Sequence, residues 1–267
     1  GFAVEDMFIK SAARAMPLGQ VLVLMGVLGV LWFGMQAQRV GQPAFPAALR
    51  SRTMILRSGF EVTGRLFYSL AIALTPLSVA SAILQATPLV VVAGAAVIFG
   101  EKVGAWRWAL TALGFAGVLV ILRPGLAGFD ALSLLAVVGL IGFAGRDLAT
   151  RAAPPALSNA QLGVAGFAVL GVSGVIILGA QGGPVLPDAL PFAKALGAAV
   201  FGILGYSYLT RAMRTGDVSA VTPFRYTRLL FAMVLGMAIF GERPDFWTLI
   251  GSAMVVGCGV LILTRRG

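Results

Sequence analysis

The chain contains no histidine. The commonest general base and the commonest metal ligand are therefore missing. A single cysteine, Cys258, excludes a disulfide within the chain and any thiolate metal cluster. Charge is scarce too: 11% of the 267 residues are Asp, Glu, Lys or Arg, against about 25% in an ordinary soluble domain. That is too little to cover a soluble fold of this size, which sets a soluble enzyme aside. Gly-x-Gly-x-x-Gly, P-loop and nucleophile-elbow patterns are absent in usable context, so neither a cofactor nor a metal is expected. No secretory-signal pattern opens the sequence. The first residues read as the tail of a membrane helix whose beginning lies outside this sequence.

What is abundant is apolar sequence. Hydrophobic residues make up 59% of the chain, with 35 glycines, a residue enriched where membrane helices pack closely. The net charge of +10 would point to nucleic acid on a soluble protein. Here it reads as basic loops obeying the positive-inside rule, with a lipid bilayer and a small-molecule substrate as partners and no nucleic acid. Nothing in the sequence fixes an oligomeric state.

A spanning helix needs about 20 mostly apolar residues. Candidate spans run roughly 1–14 (partial), 16–36, 54–74, 77–99, 105–122, 129–150, 160–180, 191–212, 218–240 and 246–264. Short turns such as Arg123-Pro124-Gly125 and Gly182-Gly183-Pro184 join them. Sliding the chain along itself by 141 residues gives 26 identities in 126 ungapped pairs. Asp6 falls on Asp147, Gln20 on Gln161, Gly64 on Gly205, Ser78 on Ser219, and Ile98-Phe99-Gly100-Glu101 on Ile239-Phe240-Gly241-Glu242. The expected fold is thus all-α: a polytopic membrane protein with ten transmembrane helices in two five-helix repeats, 1–126 and 127–267. Five is odd, so the second repeat enters the membrane inverted, with a substrate site near the midplane between the halves. With both termini in the cytoplasm, eleven loop or flanking basic residues lie inside and five outside, which favours that orientation.

Polar residues inside apolar helices are costly and face the bundle interior or a water-filled cavity. The fourth span carries Ser78, Ser81, Gln85 and Pro88 on one face, and the repeat maps the first three onto Ser219, Thr222 and Tyr226 of the ninth, beside Arg225. These are two walls of a central cavity, or a set of interhelical hydrogen bonds. On the third span, Glu61 and Arg65 lie four apart and can pair within the helix, with Tyr68 as a substrate contact. Of Tyr206 and Tyr208, two apart, only one faces the cavity. Asp6 and Asp147 have Lys10 and Arg151 at i+4, which reads as a repeated ion pair or as a proton site together with Glu61. Glu242-Arg243 ends the ninth span at the water boundary, solvated or capping. Pro88 and Pro223 lie within the fourth and ninth spans and are candidate gate points.

These residues resemble the EamA family of the drug/metabolite transporter superfamily. Ala82-Ile83-Leu84-Gln85-Ala86-Thr87-Pro88-Leu89 followed by Phe99-Gly100-Glu101 looks like its first-repeat pattern. Val221-Thr222-Pro223-Phe224-Arg225-Tyr226 and Phe240-Gly241-Glu242-Arg243-Pro244-Asp245 are similar to the second. One departure is Leu229 where the first repeat has Pro88. The resemblance implies a bacterial-type inner-membrane carrier that works by alternating access and exports amino acids or related metabolites. The alternatives are an uptake carrier for S-adenosylmethionine or riboflavin, and a non-transporting membrane scaffold or sensor. On this reading Tyr68, Ser81, Gln85, Tyr206, Thr222, Arg225 and Tyr226 bind substrate, and Asp6, Glu61, Arg65 and Asp147 hold a proton or ion pairs.

Overall fold

The computed structural model describes residues 1–100, 104–123, 130–151, 156–215 and 227–264. Among these there is no strand, only α-helices and a 3-10 turn at Ala47–Arg50. The helices are α1 (Phe2–Ala12), α2 (Leu18–Arg39), α3 (Arg52–Leu74), α4 (Leu77–Leu84), α5 (Thr87–Phe99), α6 (Ala105–Leu122), α7 (Ser133–Arg151), α8 (Asn159–Ala180), α9 (Ala189–Thr215), α10 (Thr227–Phe240) and α11 (Phe246–Thr264). Stretches in α2, α4–α5, α7, α8 and α9 are long and apolar enough to cross a bilayer, and α6, α10 and α11 carry shorter apolar runs. The chain is an all-α polytopic membrane protein.

In lipid, helices associate by close packing rather than by escape from water, so small residues mark the seams. The most extensive seam joins α2 to α8. A Cβ on Gly26 would stand 2.5 Å from Gly171 Cα, and one on Gly174 would stand 2.6 Å from Val23 N. Only glycine lets these backbones approach so closely. The next seams join α3 to α7, α6 to α11, and α1 to α9.

Contacts recur across the 141-residue offset. A Cβ on Gly142 would meet Gly64 Cα at 2.6 Å, and one on Gly1 would meet Gly205 Cα at 3.1 Å. Those two pairs are equivalent under the repeat. Gln161 donates to Pro43 O at 3.0 Å, and its counterpart Gln20 donates to Val185 O at 2.8 Å, so each half is tied to the other's first long loop. Gly100 and Gly241 both take the left-handed backbone, at φ 64° and 66°, a conformation glycine adopts without strain.

The fourth span departs from its expected form. A continuous helix kinked at Pro88 was the sequence expectation. Instead α4 stops at Leu84, Gln85 and Ala86 form a turn, and α5 restarts at Thr87, whose Oγ1 donates to Leu84 O at 2.5 Å. Pro88 sits in the first turn of α5, where a missing N–H costs no intrahelical bond. The discontinuity therefore precedes the proline.

Candidate substrate site

Two charged clusters lie between the helices. In the first, Asp6 on α1 accepts from Arg228 Nε at 3.1 Å and Nη2 at 2.5 Å, and from the Tyr68 hydroxyl at 3.2 Å. The Arg228 guanidinium also lies over the Phe2 and Tyr68 rings, 5.3 and 5.4 Å from their centroids. Asp6 and Tyr68 are buried, and Ser81 on α4 lies beside the Tyr68 hydroxyl. Next along α1, the buried Glu5 faces Arg65 of α3, with Oε1 3.6 Å from Nη1.

The second cluster lies between α3 and α7. Glu61, fully buried, stands 2.9 Å from Arg57 Nη1 and 3.6 Å from Arg146 Nη1. Arg146 donates to Asp147 from Nε and Nη2 at 3.0 and 2.8 Å and lies over the Phe143 ring at 4.9 Å. Arg57 Nε donates to Thr150 at 2.9 Å. Tyr206 packs edge-on against Phe33 and Phe167 and lies near Glu61 across Gly166. The two clusters together hold Glu5, Asp6, Glu61 and Asp147 against Arg57, Arg65, Arg146 and Arg228. Acids and bases balance, as burial away from water demands.

A third junction closes one end of the bundle. Gly241 turns the chain back at the end of α10, and the Glu242 carboxylate then reaches the start of α4. It accepts from Leu77 N at 2.6 Å, Ser78 N at 3.1 Å and Ser78 Oγ at 2.9 Å. A carboxylate there satisfies amides that have no intrahelical partner and meets the positive end of the helix dipole. Lys10 stands 3.5 Å from Glu242 and donates to Ile72 O at 3.2 Å and to Thr75 O. One junction thus joins the ends of α1, α3 and α10 to the start of α4. Gly236 gives it room, since a Cβ there would stand 2.5 Å from Glu242 Oε2.

The sequence pattern of the EamA-like transporter family matches residues 1–123 and again residues 129–265. The chain belongs to that family. It is therefore a multi-pass membrane transporter of small molecules rather than an enzyme. A riboflavin transporter of Rhizobium johnstonii is 28% identical to this transporter over 195 residues, 73% of this chain and 64% of that protein, so the match spans less than two thirds of the relative. The pseudopaline exporter CntI of Pseudomonas aeruginosa is 26% identical over 274 residues, covering 100% of this chain and 93% of the exporter. An S-adenosylmethionine uptake transporter of Rickettsia prowazekii is 23% identical, over 88% of this chain and 76% of that one.

Several pairings differ from those read in the sequence. Glu61 and Arg65 do not pair within α3. Glu61 turns to Arg57 and Arg146, while Arg65 turns across to Glu5. Asp6 does not pair with Lys10, which joins Glu242. Asp147 meets its neighbour Arg146, and the side chain of Arg151 lies outside the described residues. Glu61 keeps the arginine one turn back, Arg57, rather than Arg65 one turn on, and Asp6 is taken by Arg228 of α10. The polar face of the fourth span also splits. Ser78 belongs to the Glu242 junction, Ser81 to the Tyr68 cluster, and Gln85 is buried at the end of α4. Of the two tyrosines on α9, Tyr206 turns inward and Tyr208 is 67% exposed. Of the two readings of Glu242, solvated or capping, the structure shows a half-buried cap, on the start of α4. Arg57, counted among the inside loop charges, is buried in the core. Thr222, Pro223, Arg225 and Tyr226 lie outside the described residues.

Glu5, Arg146 and Arg228 escaped the sequence reading. Each is a charge inside an apolar run, which is itself the signal. Glu5 and Arg146 also fall on each other at the 141-residue offset.

Proposed function

We propose that this transporter exports amino acids or related zwitterionic metabolites across the bacterial-type inner membrane by alternating access. Residues 1–126 and 127–267 are the two inverted repeats of ten spans, and both termini are cytoplasmic. The observation that carries the reading is the charge-balanced set of acids, arginines and tyrosines drawn from both halves, Asp6 and Tyr68 meeting Arg228 and Glu61 meeting Arg146. Such a set binds a molecule carrying both charges without adding net charge to a low-dielectric interior. Tyr68, Ser81, Gln85 and Tyr206 line the site, with Thr222, Arg225 and Tyr226 carried from the sequence. Asp6, Glu61, Arg65 and Asp147 hold its ion pairs. The Glu242 junction seals the outer end in this conformation. The break before Pro88 lets α5 swing relative to α4, and Pro223 serves the ninth span likewise.

The test is flux in proteoliposomes with L-leucine, L-phenylalanine, S-adenosylmethionine and riboflavin as labelled probes. Saturable L-leucine or L-phenylalanine flux is the expected result. Flux of riboflavin alone overturns the amino-acid reading. The second reading, uptake of S-adenosylmethionine or riboflavin, is favoured by the similarity to carriers of those compounds. Reporter fusions at Gly267 and in the Gly182-Gly183 loop test the topology, and should report opposite sides of the membrane.

A further inference from the structure

The α3–α7 and α1–α9 seams are equivalent under the repeat, yet they are filled differently. In the first, position 61 faces position 146, and Glu61 is held by Arg57 and Arg146. In the second, the equivalent positions are Gly202 and Glu5. Gly202 has no side chain, and Glu5 lies where one would begin: a Cβ on Gly202 would stand 3.0 Å from Glu5 Oε1. Glu5 is 2% exposed. Among the described residues, its ion-pair partner is Arg65 at 3.6 Å, beyond hydrogen-bonding distance. Arg65 is underused in turn, because its buried Nε has no hydrogen-bond partner. Its other close neighbour is the Phe143 ring, 5.8 Å from the guanidinium carbon.

A buried carboxylate and a buried guanidinium normally saturate one another, and a deficit in both calls for an explanation. A lone cation would satisfy Glu5 and be repelled by Arg65, and a lone anion the reverse. A group carrying an ammonium and a carboxylate on one carbon satisfies both at once and brings no net charge into the bundle. We propose that Glu5 and Arg65 are the two poles that receive an α-amino acid head group, the ammonium on Glu5 and the carboxylate on Arg65. This rests on the transport reading above and deepens it. Amino acids and S-adenosylmethionine share that head group, and riboflavin lacks it. The selecting element is then the head group.

The experiment uses the full chain in proteoliposomes with labelled L-leucine, L-phenylalanine and S-adenosylmethionine. On the wild type, L-leucinamide lacks the carboxylate and 4-methylvalerate lacks the ammonium. Each should compete at least about tenfold more weakly than unlabelled L-leucine, the scale of one lost charge-assisted hydrogen bond. Glu5→Gln and Arg65→Gln should each raise KM by about tenfold or more while maximal flux falls less, in protein that still elutes as a single folded species. One-pole analogues that compete as well as L-leucine overturn the assignment without any variant. Unchanged KM in both folded variants does the same, and leaves amino-acid export standing. Riboflavin flux with no flux of the three probes overturns the head-group proposal and leaves a transporter. No flux of any probe, with no binding of L-leucine to the purified protein, overturns both.

Discussion

The α3–α7 seam and the α1–α9 seam descend from one repeat, and they teach how symmetry supplies a frame while asymmetry supplies chemistry. Both cross at a glycine pair, Gly64 with Gly142 and Gly205 with Gly1, because close backbone contact is what holds membrane helices together. One turn away, Glu61 stands between two arginines in the first seam, although among the described residues neither of its buried carboxylate oxygens makes a hydrogen bond. Gly202 leaves the second seam with an acid short of partners. The first seam thus gives its acid two arginines, the nearer at 2.9 Å, and the second gives its acid one, at 3.6 Å.

The largest effect should come from Arg228→Ala, which strands the Asp6 carboxylate inside the bundle. Removing one member of a buried pair costs about 3–5 kcal/mol. The thermal midpoint of the purified protein should fall sharply and transport should be lost. The double variant Asp6→Asn with Arg228→Gln removes both charges, so it should recover the midpoint and not the transport. A single variant that melts with the wild type would show that Asp6 has another partner.

The glycine seams give the next effect and can break the comparison directly. A Cβ on Gly142 would meet Gly64 backbone atoms at 2.3 and 2.6 Å, whereas one on Gly205 meets the Phe2 ring at 3.3 Å. A ring can shift and a backbone cannot. Gly142→Ala should cost about 1–3 kcal/mol, as overpacking does, and Gly205→Ala less. Equal melting shifts would deny the difference between the seams.

Glu242→Gln should weaken the cap on α4 by about 1 kcal/mol. Its stronger signature is accessibility. Cys258 is the chain's single cysteine and is buried, so a cysteine placed at Ala82 can be labelled by an impermeant thiol reagent with little background. Labelling from the outside should rise in the Glu242→Gln protein. No rise, with the protein folded, moves the seal elsewhere.

The smallest effect concerns Asp245 at the water boundary. Partial burial raises its pKa, but donation from Thr248 and the Arg123 guanidinium, 2.6 Å away, outweighs that and holds the carboxyl below its ordinary value. A depressed carboxylate contributes stability above its unfolded pKa and loses it as pH falls through the folded one. Acid melting of Asp245→Asn should therefore differ slightly from the wild type near neutral pH and converge with it in acid. A constant offset at every pH would trace the effect to Asn itself.

The sequence by itself determined the solvent, the fold class and the repeat. Long apolar runs with few charges have no other stable setting than a bilayer, and identities held at one offset over the whole chain require two like halves. It also marked Asp6, Tyr68, Glu61 and Tyr206, since a polar side chain in an apolar helix must face inward. Partners were beyond its reach. Helical spacing offered Arg65 to Glu61 and Lys10 to Asp6, but Glu61 took Arg57 of its own helix and Arg146 of α7, and Asp6 took Arg228 and Tyr68 from other helices, placed by glycine seams that local periodicity does not encode. At the fourth span Pro88 marked a weak point, but not that the helix stops at Leu84 and restarts at Thr87, because apolar sequence continues on both sides of Gln85–Pro88. The tertiary structure decided which charges saturate each other and which remain in need, because in a low-dielectric interior that depends on ångströms between helices.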